Sequence, residues 1–347
     1  MTKQSVASHR KDEHYFLAEK FYQEDSNSDL DDVRFIRSAL PESSVAAVDM
    51  APGIADWQFP LLINAMTGGS TTTGKINAQL ARIARNLHLP LASGSASVAL
   101  KEPAVRDSFT VIRQENPDGF VLANIGADKT PADAQFVIKL LGANMLQVHL
   151  NAVQEMVMPE GAREFDWRDN LAAIIAASPV PVIVKEVGFG MRHDDFAAIE
   201  ATGAAAIDVG GRGGTNFAKI ENARRHDADY SDLFGFGQTT AESLIEAQGC
   251  TLPLIATGGI RTPLQAVAAL RLGASAVGLA GLVLHWLTKT DEATTQARLQ
   301  AFMKEMRDIV ALLGCTNLAQ LRQVPIVTDH LAHYAAQRGL TVPNAGL

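Results

Sequence analysis

Two cysteines in 347 residues, Cys250 and Cys315, leave no room for a disulfide framework or a cysteine zinc site. A reducing compartment is the expectation that follows. Positive charge is also scarce: 30 Lys and Arg stand against 38 Asp and Glu, a formal net charge of −8 with a pI near 5.6. That balance argues against a general nucleic-acid binder, so any phosphate must be caught by a local cluster of cations or backbone N–H groups. Long apolar runs are missing. The most apolar stretch, Leu272 to Leu287, is interrupted by Gly273, Ser275 and His285 and falls short of the roughly 18 apolar residues of a membrane helix. The opening MTKQSVASHRKDEHY is polar and basic, unlike a signal peptide. The expectation is a cytoplasmic protein with no membrane and no nucleic-acid partner. An apolar share of 47% fits a globular chain with a large core.

From residue 61 onward, short β-branched runs ending in glycine or a polar residue alternate with helical patterns. The strand candidates are 61–67, 89–95, 119–126, 144–151, 181–188, 205–211, 253–259 and 274–281. Eight strands with helical crossovers imply a parallel sheet, and their number implies an α/β fold of the (β/α)8 TIM-barrel type. No Gly-x-Gly-x-x-Gly opens the first unit, which counts against the rival, an open doubly wound sheet. Residues 1–60 read as an N-terminal extension, with a possible hairpin over 45–60. Residues 61–347 read as the barrel with C-terminal helices. A long loop, 212–238, follows strand six, and loops of that length in compact domains are usually functional.

Barrel sites form where strands end. In NMLQVHLN, alternation sets Gln147, His149 and Asn151 on one face, and three inward polar residues are costly unless they meet a ligand or one another. A lone histidine reads as a core residue; in this company it reads as part of a site. Lys185 closes the apolar run PVIVK and should enter the barrel mouth, where it either pairs structurally or holds an anion. Glu186 is its obvious partner, but adjacent strand residues point to opposite faces. TGGIRTP and GLAGLV, after strands seven and eight, supply small residues suited to phosphate on backbone N–H groups. GGRGGTNF, after strand six, suits backbone wrapped closely around a ligand; the alternative is a flexible linker.

RKDEHY, NAMTGGS, QVHLNAVQE, VIVKEVGFGM, DVGGRGGTNF and ATGGIRTPLQ together resemble the type 2 isopentenyl-diphosphate isomerases, which are flavoproteins. The likeness runs in order and spacing from about residue 9 to residue 285. It implies interconversion of isopentenyl and dimethylallyl diphosphate on reduced FMN, with no net redox change, Mg²⁺ and NADPH as reductant. It also implies a homotetramer or homooctamer. For the cofactor it implies Ala65, Met66 and Thr67 behind the isoalloxazine ring, Ser95 and Asn124 in contact with it, and Lys185 beside the N1–C2=O edge. Thr215, Gly258, Gly259, Arg261, Ala280 and Gly281 match the ribityl and phosphate contacts. Arg10 and Lys11 match the diphosphate cations, while His149, Asn151 and Gln154 match the catalytic substrate pocket. Glu155 matches the Mg²⁺ ligand. One departure is visible: Ala96 and Ser97 stand where the family often carries Gln-Arg, which costs the diphosphate one cation. Two rivals share part of the pattern. A net-redox FMN barrel, a 2-hydroxy-acid oxidase or a dihydroorotate dehydrogenase-like enzyme, would need neither the paired N-terminal cations nor a Mg²⁺ carboxylate. A non-catalytic flavin- or phosphate-binding protein would not need the polar face of strand four.

Overall fold

In the computed structural model, which describes residues 6–22 and 28–343, eight parallel strands close on themselves. They are β1 (Leu61–Ile63), β2 (Leu91–Ala92), β3 (Val121–Gly126), β4 (Met145–Leu150), β5 (Val182–Glu186), β6 (Ala206–Asp208), β7 (Leu254–Thr257) and β8 (Ala276–Leu279). Closure is made where β1 meets β8, with Leu61 opposite Val277 and Ile63 opposite Leu279. The expected (β/α)8 barrel is what the chain forms, and every strand lies inside its expected run. The crossover helices start on side-chain caps. Thr130, Thr239 and Thr262 each accept an N–H one turn ahead and form capping boxes with Asp133, Glu242 and Gln265.

Inside the barrel, the two-residue period stacks two layers of opposite character. The lower layer is apolar: Leu62, Ala92, Leu122, Met145, Ile183, Ala206, Ile255 and Ala276. Two residues further along the same strands come Asn64, Gly94, Asn124, Gln147, Lys185, Asp208, Thr257 and Gly278. The second layer is almost wholly polar. Its two glycines leave room for it: a Cβ at Gly278 would run into Thr257 and Asn64.

The segment before the barrel departs from expectation. No hairpin forms over 45–60; Val45–Ala47 is a single 3-10 turn and the rest is irregular. The apolar residues there do not pair across a turn because each goes to a different place. Val48, Met50 and Phe59 join the outer core, whereas Ile54 and Trp57 plug the bottom of the barrel against its apolar layer. A two-strand ribbon joins Arg34–Phe35 to Ile326–Val327. Residues 6–20 form a helix that crosses the barrel mouth. The long 212–238 loop contains a helix, Phe217–Ala223, and a 3-10 turn, Ser231–Gly235. The C-terminal part is mostly helical, with Glu292–Leu312 its longest element. Buried Arg271 fastens it by donating to the carbonyls of Val324 and Pro343.

Candidate active site

A cavity of about 840 Å³ opens at the carboxyl ends of the strands. That is the size of a cofactor site, and it lies where barrel sites form. Its wall brings together the residues that the resemblance assigns to cofactor, substrate and metal: Arg10, Lys11, Ala65, Met66, Thr67, Ser95, Asn124, His149, Asn151, Gln154, Glu155, Lys185, Thr215, Gly258, Gly259, Arg261, Ala280 and Gly281. Gln147, expected on the same face as His149, is buried beneath it.

The floor is the polar layer. Lys185 Nζ donates to the backbone carbonyl of Glu186 at 2.7 Å and lies 3.3 Å from Asp208 Oδ2. The Glu186 carboxylate points the other way, as strand alternation requires, and accepts the N–H groups of Val187, Gly188, Phe189 and Gly190. Burial pushes that carboxyl up to about 7 against the pull of those N–H bonds and of Lys185. Around the rest of the ring, Asn64 Nδ2 donates to Asp208 and Thr257, Gln147 Nε2 to Asn64 Oδ1, and Asn124 Nδ2 to Gln147 Oε1. His149 Nδ1 lies 2.8 Å from Asn124 Oδ1. Burial, reinforced by the Lys11 cation, pulls the His149 imidazole down to about 3, so it is neutral at ordinary pH.

One side of the cavity is backbone. Gly258 takes φ +117°, and a Cβ there would collide with the Gly211 carbonyl and Thr240 Oγ1. A Cβ at Gly214 would come within 3.0 Å of the Gly259 nitrogen. These loops pack main chain on main chain, held by Thr240 Oγ1 donating to the Thr257 and Gly258 carbonyls and by Arg261 Nη2 donating to the Gly213 carbonyl. The adjoining helix Gly281–Lys289 starts at the cavity wall, which Gly281 and Leu282 line, and its first N–H groups have no partner within the helix.

The roof comes from outside the barrel. The N-terminal helix carries Arg10, Lys11, His14 and Tyr15 across the mouth. Lys11 Nζ donates to the Ser95 carbonyl at 3.2 Å. Burial and neighbouring Arg10 pull its ammonium down to about 8. Arg10 pairs with Glu160 at 3.1 Å, and Ser70 Oγ donates to Asp12. At the centre of the fastening is Glu221, fully buried on the short helix 217–223. It accepts from Gln154 Nε2 at 2.8 Å and Arg224 Nη1 at 2.6 Å, and lies 2.9 Å from His14 Nε2. Burial alone would raise its carboxyl, but His14, Gln154 and Arg224 outweigh burial and hold it at about 2. Arg224 also bonds Glu13 and Glu160. Tyr22 stacks on His285, 4.1 Å between ring centres, and Glu19 bonds that imidazole from the next turn.

Glu155 sits on the wall in the helix Ala152–Val157. Asn151 Nδ2 and the Ala162 N–H donate to its two oxygens at 3.0 and 2.8 Å. Ala96 is buried in the turn after β2, while Ser97 and Lys101 line the cavity one helical turn apart. Sequence reading missed Asn64, Asp208, His14, Glu221 and Arg224. Asn64 and Asp208 carried a usable signal, since each ends an apolar run on the inward face, as Lys185 does.

Relatives decide what kind of cavity this is. A protein of Lacticaseibacillus casei named isopentenyl-diphosphate delta-isomerase is 51% identical over 97% of this chain and 98% of its own. One of the same name from Staphylococcus haemolyticus is 42% identical over 96% and 97%. The chain belongs to the isopentenyl-diphosphate delta-isomerase family. Residues 103–328 also match the family described as FMN-dependent dehydrogenase, so this isomerase family shares the flavin scaffold. Solved oxidases share the fold. A mandelate oxidase variant with an FMN adduct superposes with a TM-score of 0.62 at 17% identity over 91% of this chain and 92% of that one. A putative lactate oxidase of Pediococcus acidilactici gives 0.65 at 14% identity over 92% and 87%. Among the described residues no helix is long and apolar enough to cross a membrane.

Proposed function

We propose that this chain interconverts isopentenyl and dimethylallyl diphosphate by adding and removing protons, with reduced FMN on the cavity floor and no net redox change. The observation that carries the reading is the cationic roof. Arg10 and Lys11 hang over a floor that presents Lys185. A flavin enzyme whose substrate is a simple hydroxy acid has no need of such a roof, whereas a diphosphate has.

The residues fit FMN. The backbone cradle of Gly213, Gly214, Gly258 and Gly259 and the start of the helix at Gly281 suit its phosphate, with Thr215 and Arg261 alongside. Ala65, Met66 and Thr67 offer a wall for the ring, Ser95 and Asn124 polar contacts, and Lys185 a cation for its N1 edge. When bound and reduced, FMN supplies a proton-exchanging nitrogen that no side chain of this cavity replaces. Glu155 fits Mg²⁺ as a single carboxylate, since that ion keeps waters and takes phosphate oxygens for its other positions. Arg10 and Lys11 bind the diphosphate, and Lys101 brings a further cation to the wall where Ser97 stands in place of the family's arginine. His149, Asn151 and Gln154 line the reacting end. The docked helix excludes water from a cationic intermediate. NADPH is the reductant we assign, docking transiently, in a cytoplasmic homotetramer or homooctamer.

The test is a product count under strict anaerobiosis. Flavin reduced once with dithionite should support many products per flavin from isopentenyl diphosphate, with its spectrum staying reduced throughout. A yield near one product per flavin would replace the isomerase reading by a redox one.

A further inference from the structure

Amide groups are oriented by their partners, and the polar layer contains two partners whose chemistry is fixed. One is the Asp208 carboxylate beside the Lys185 ammonium, which also accepts the Gly210 N–H at 3.1 Å. The other is the backbone N–H of Ala65, which can only donate, 2.8 Å from Asn64 Oδ1. Both act on Asn64. Its Nδ2 must face Asp208 at 2.7 Å and its Oδ1 must face Ala65. Reversing the amide would set oxygen against carboxylate and N–H against N–H; the Thr257 hydroxyl, which can donate or accept, suits either orientation.

From Asn64 the direction propagates. Its Oδ1 is the acceptor at 3.0 Å from Gln147, so Gln147 turns its Nε2 there and its Oε1 to Asn124. Asn124 then turns its Nδ2 to Gln147, again at 3.0 Å, and its Oδ1 to His149. An acceptor 2.8 Å from Nδ1 requires a proton on Nδ1.

We infer that Asp208 and the Ala65 N–H, acting through Asn64, Gln147 and Asn124, lock His149 in its Nδ1–H tautomer and present the bare Nε2 to the cavity as an acceptor. These four side chains are positioning residues. A histidine fixed in this way accepts a hydrogen bond from a donor in the cavity and has none to offer a phosphate oxygen. The diphosphate is therefore left to the cations of the cavity, Arg10 and Lys11 among them, and not to His149. The occupant's identity rests on the isomerase reading; the tautomer does not.

The readout is the ¹⁵N magic-angle-spinning spectrum of histidine-labelled holoenzyme near neutral pH, with His149 assigned by difference from H149Q. The wild type should show a pyrrole-type Nδ1 and a pyridine-type Nε2. A pyrrole-type Nε2, or a doubly protonated ring, would overturn the inference without any variant. Gln147 is fully buried and is not part of the cavity wall, so Q147L cuts the relay there. It should split His149 into two tautomers. Q147E should keep the single Nδ1–H form, because a glutamate in either protonation state still accepts from Asn124. An unsplit His149 in Q147L would also overturn the relay. The product count on the same preparation reports separately on the isomerase reading.

Discussion

Replacing Glu221 by glutamine removes the one charge around which the N-terminal roof is fastened. Glu221 is fully buried and is met by Gln154, Arg224 and His14. Its carboxyl is held at about 2, against an ordinary 4.5, because these contacts outweigh burial. At 1.36 kcal/mol per pH step, that depression is worth about 3 kcal/mol of stability. The sign follows from the direction. A carboxyl whose folded value lies below its unfolded value stabilises fully above the unfolded value, and the contribution drains away as pH falls toward the folded one. E221Q should therefore unfold in urea with a stability about 3 kcal/mol lower at pH 7, and only about 2 kcal/mol lower at about pH 3.5. Arg224 keeps Glu13 and Glu160 as partners in the variant, so no cation is stranded. Equal stabilities at pH 7 would refute the charge argument. A gap that does not narrow in acid would mean that Glu221 acts through packing alone.

Three further outcomes follow from the cavity wall. E155Q should lose most Mg²⁺-dependent activity, by tenfold or more at limiting metal on the order expected for a ligand, while still binding FMN; wild-type turnover there would displace Glu155 as ligand. K185A should lower the flavin reduction potential along with activity, because the cation favours the anionic reduced ring; an unchanged potential would make Lys185 a structural partner of Asp208. Lys11, pulled down to about 8 by burial and Arg10, is a cation below that pH and neutral above it. The kcat/KM should fall as pH rises through about 8, reporting the free enzyme, and K11R should flatten the fall; an identical profile in K11R would mean the break belongs to another group.

Much of this was legible in the chain, for identifiable reasons. Eight strand–helix units repeat one pattern, and each strand carries its own ending, so the barrel could be read unit by unit. Lys185 and His149 stood out because an ionisable residue on the inward side of an apolar strand must be accounted for. Asp208 and Asn64 obey the same rule, yet each ends its strand and so reads as a turn residue. The hairpin expected over 45–60 does not form. Those residues instead fill separate hollows, with Trp57 and Ile54 under the barrel, and only the closed barrel creates that hollow. Glu221 could not be read at all. It lies on a seven-residue helix inside a loop, and its partner His14 is on an element some two hundred residues earlier.

The cavity divides into a floor of strand ends and glycine loops and a roof from outside the barrel. Oxidases at 14–17% identity share the barrel fold and superpose over most of the chain. Over the mouth this chain lays a helix from outside the barrel, tied by Arg10 to Glu160, by Asp12 to Ser70 and by Glu13 to Arg224. Apart from buried Ser70, these ties join side chains that are exposed or partly buried, worth little singly. Buried Glu221 anchors the Glu160 and Glu13 ties through Arg224. On the proposed function, the same helix carries the cations for a diphosphate and shields the cavity from water. An isomerase passing through a carbocation needs both at once, since water admitted beside the cation would turn product into alcohol. On this reading, specificity for a diphosphate and protection of the intermediate are one structural feature, and loosening the anchor should erode both together.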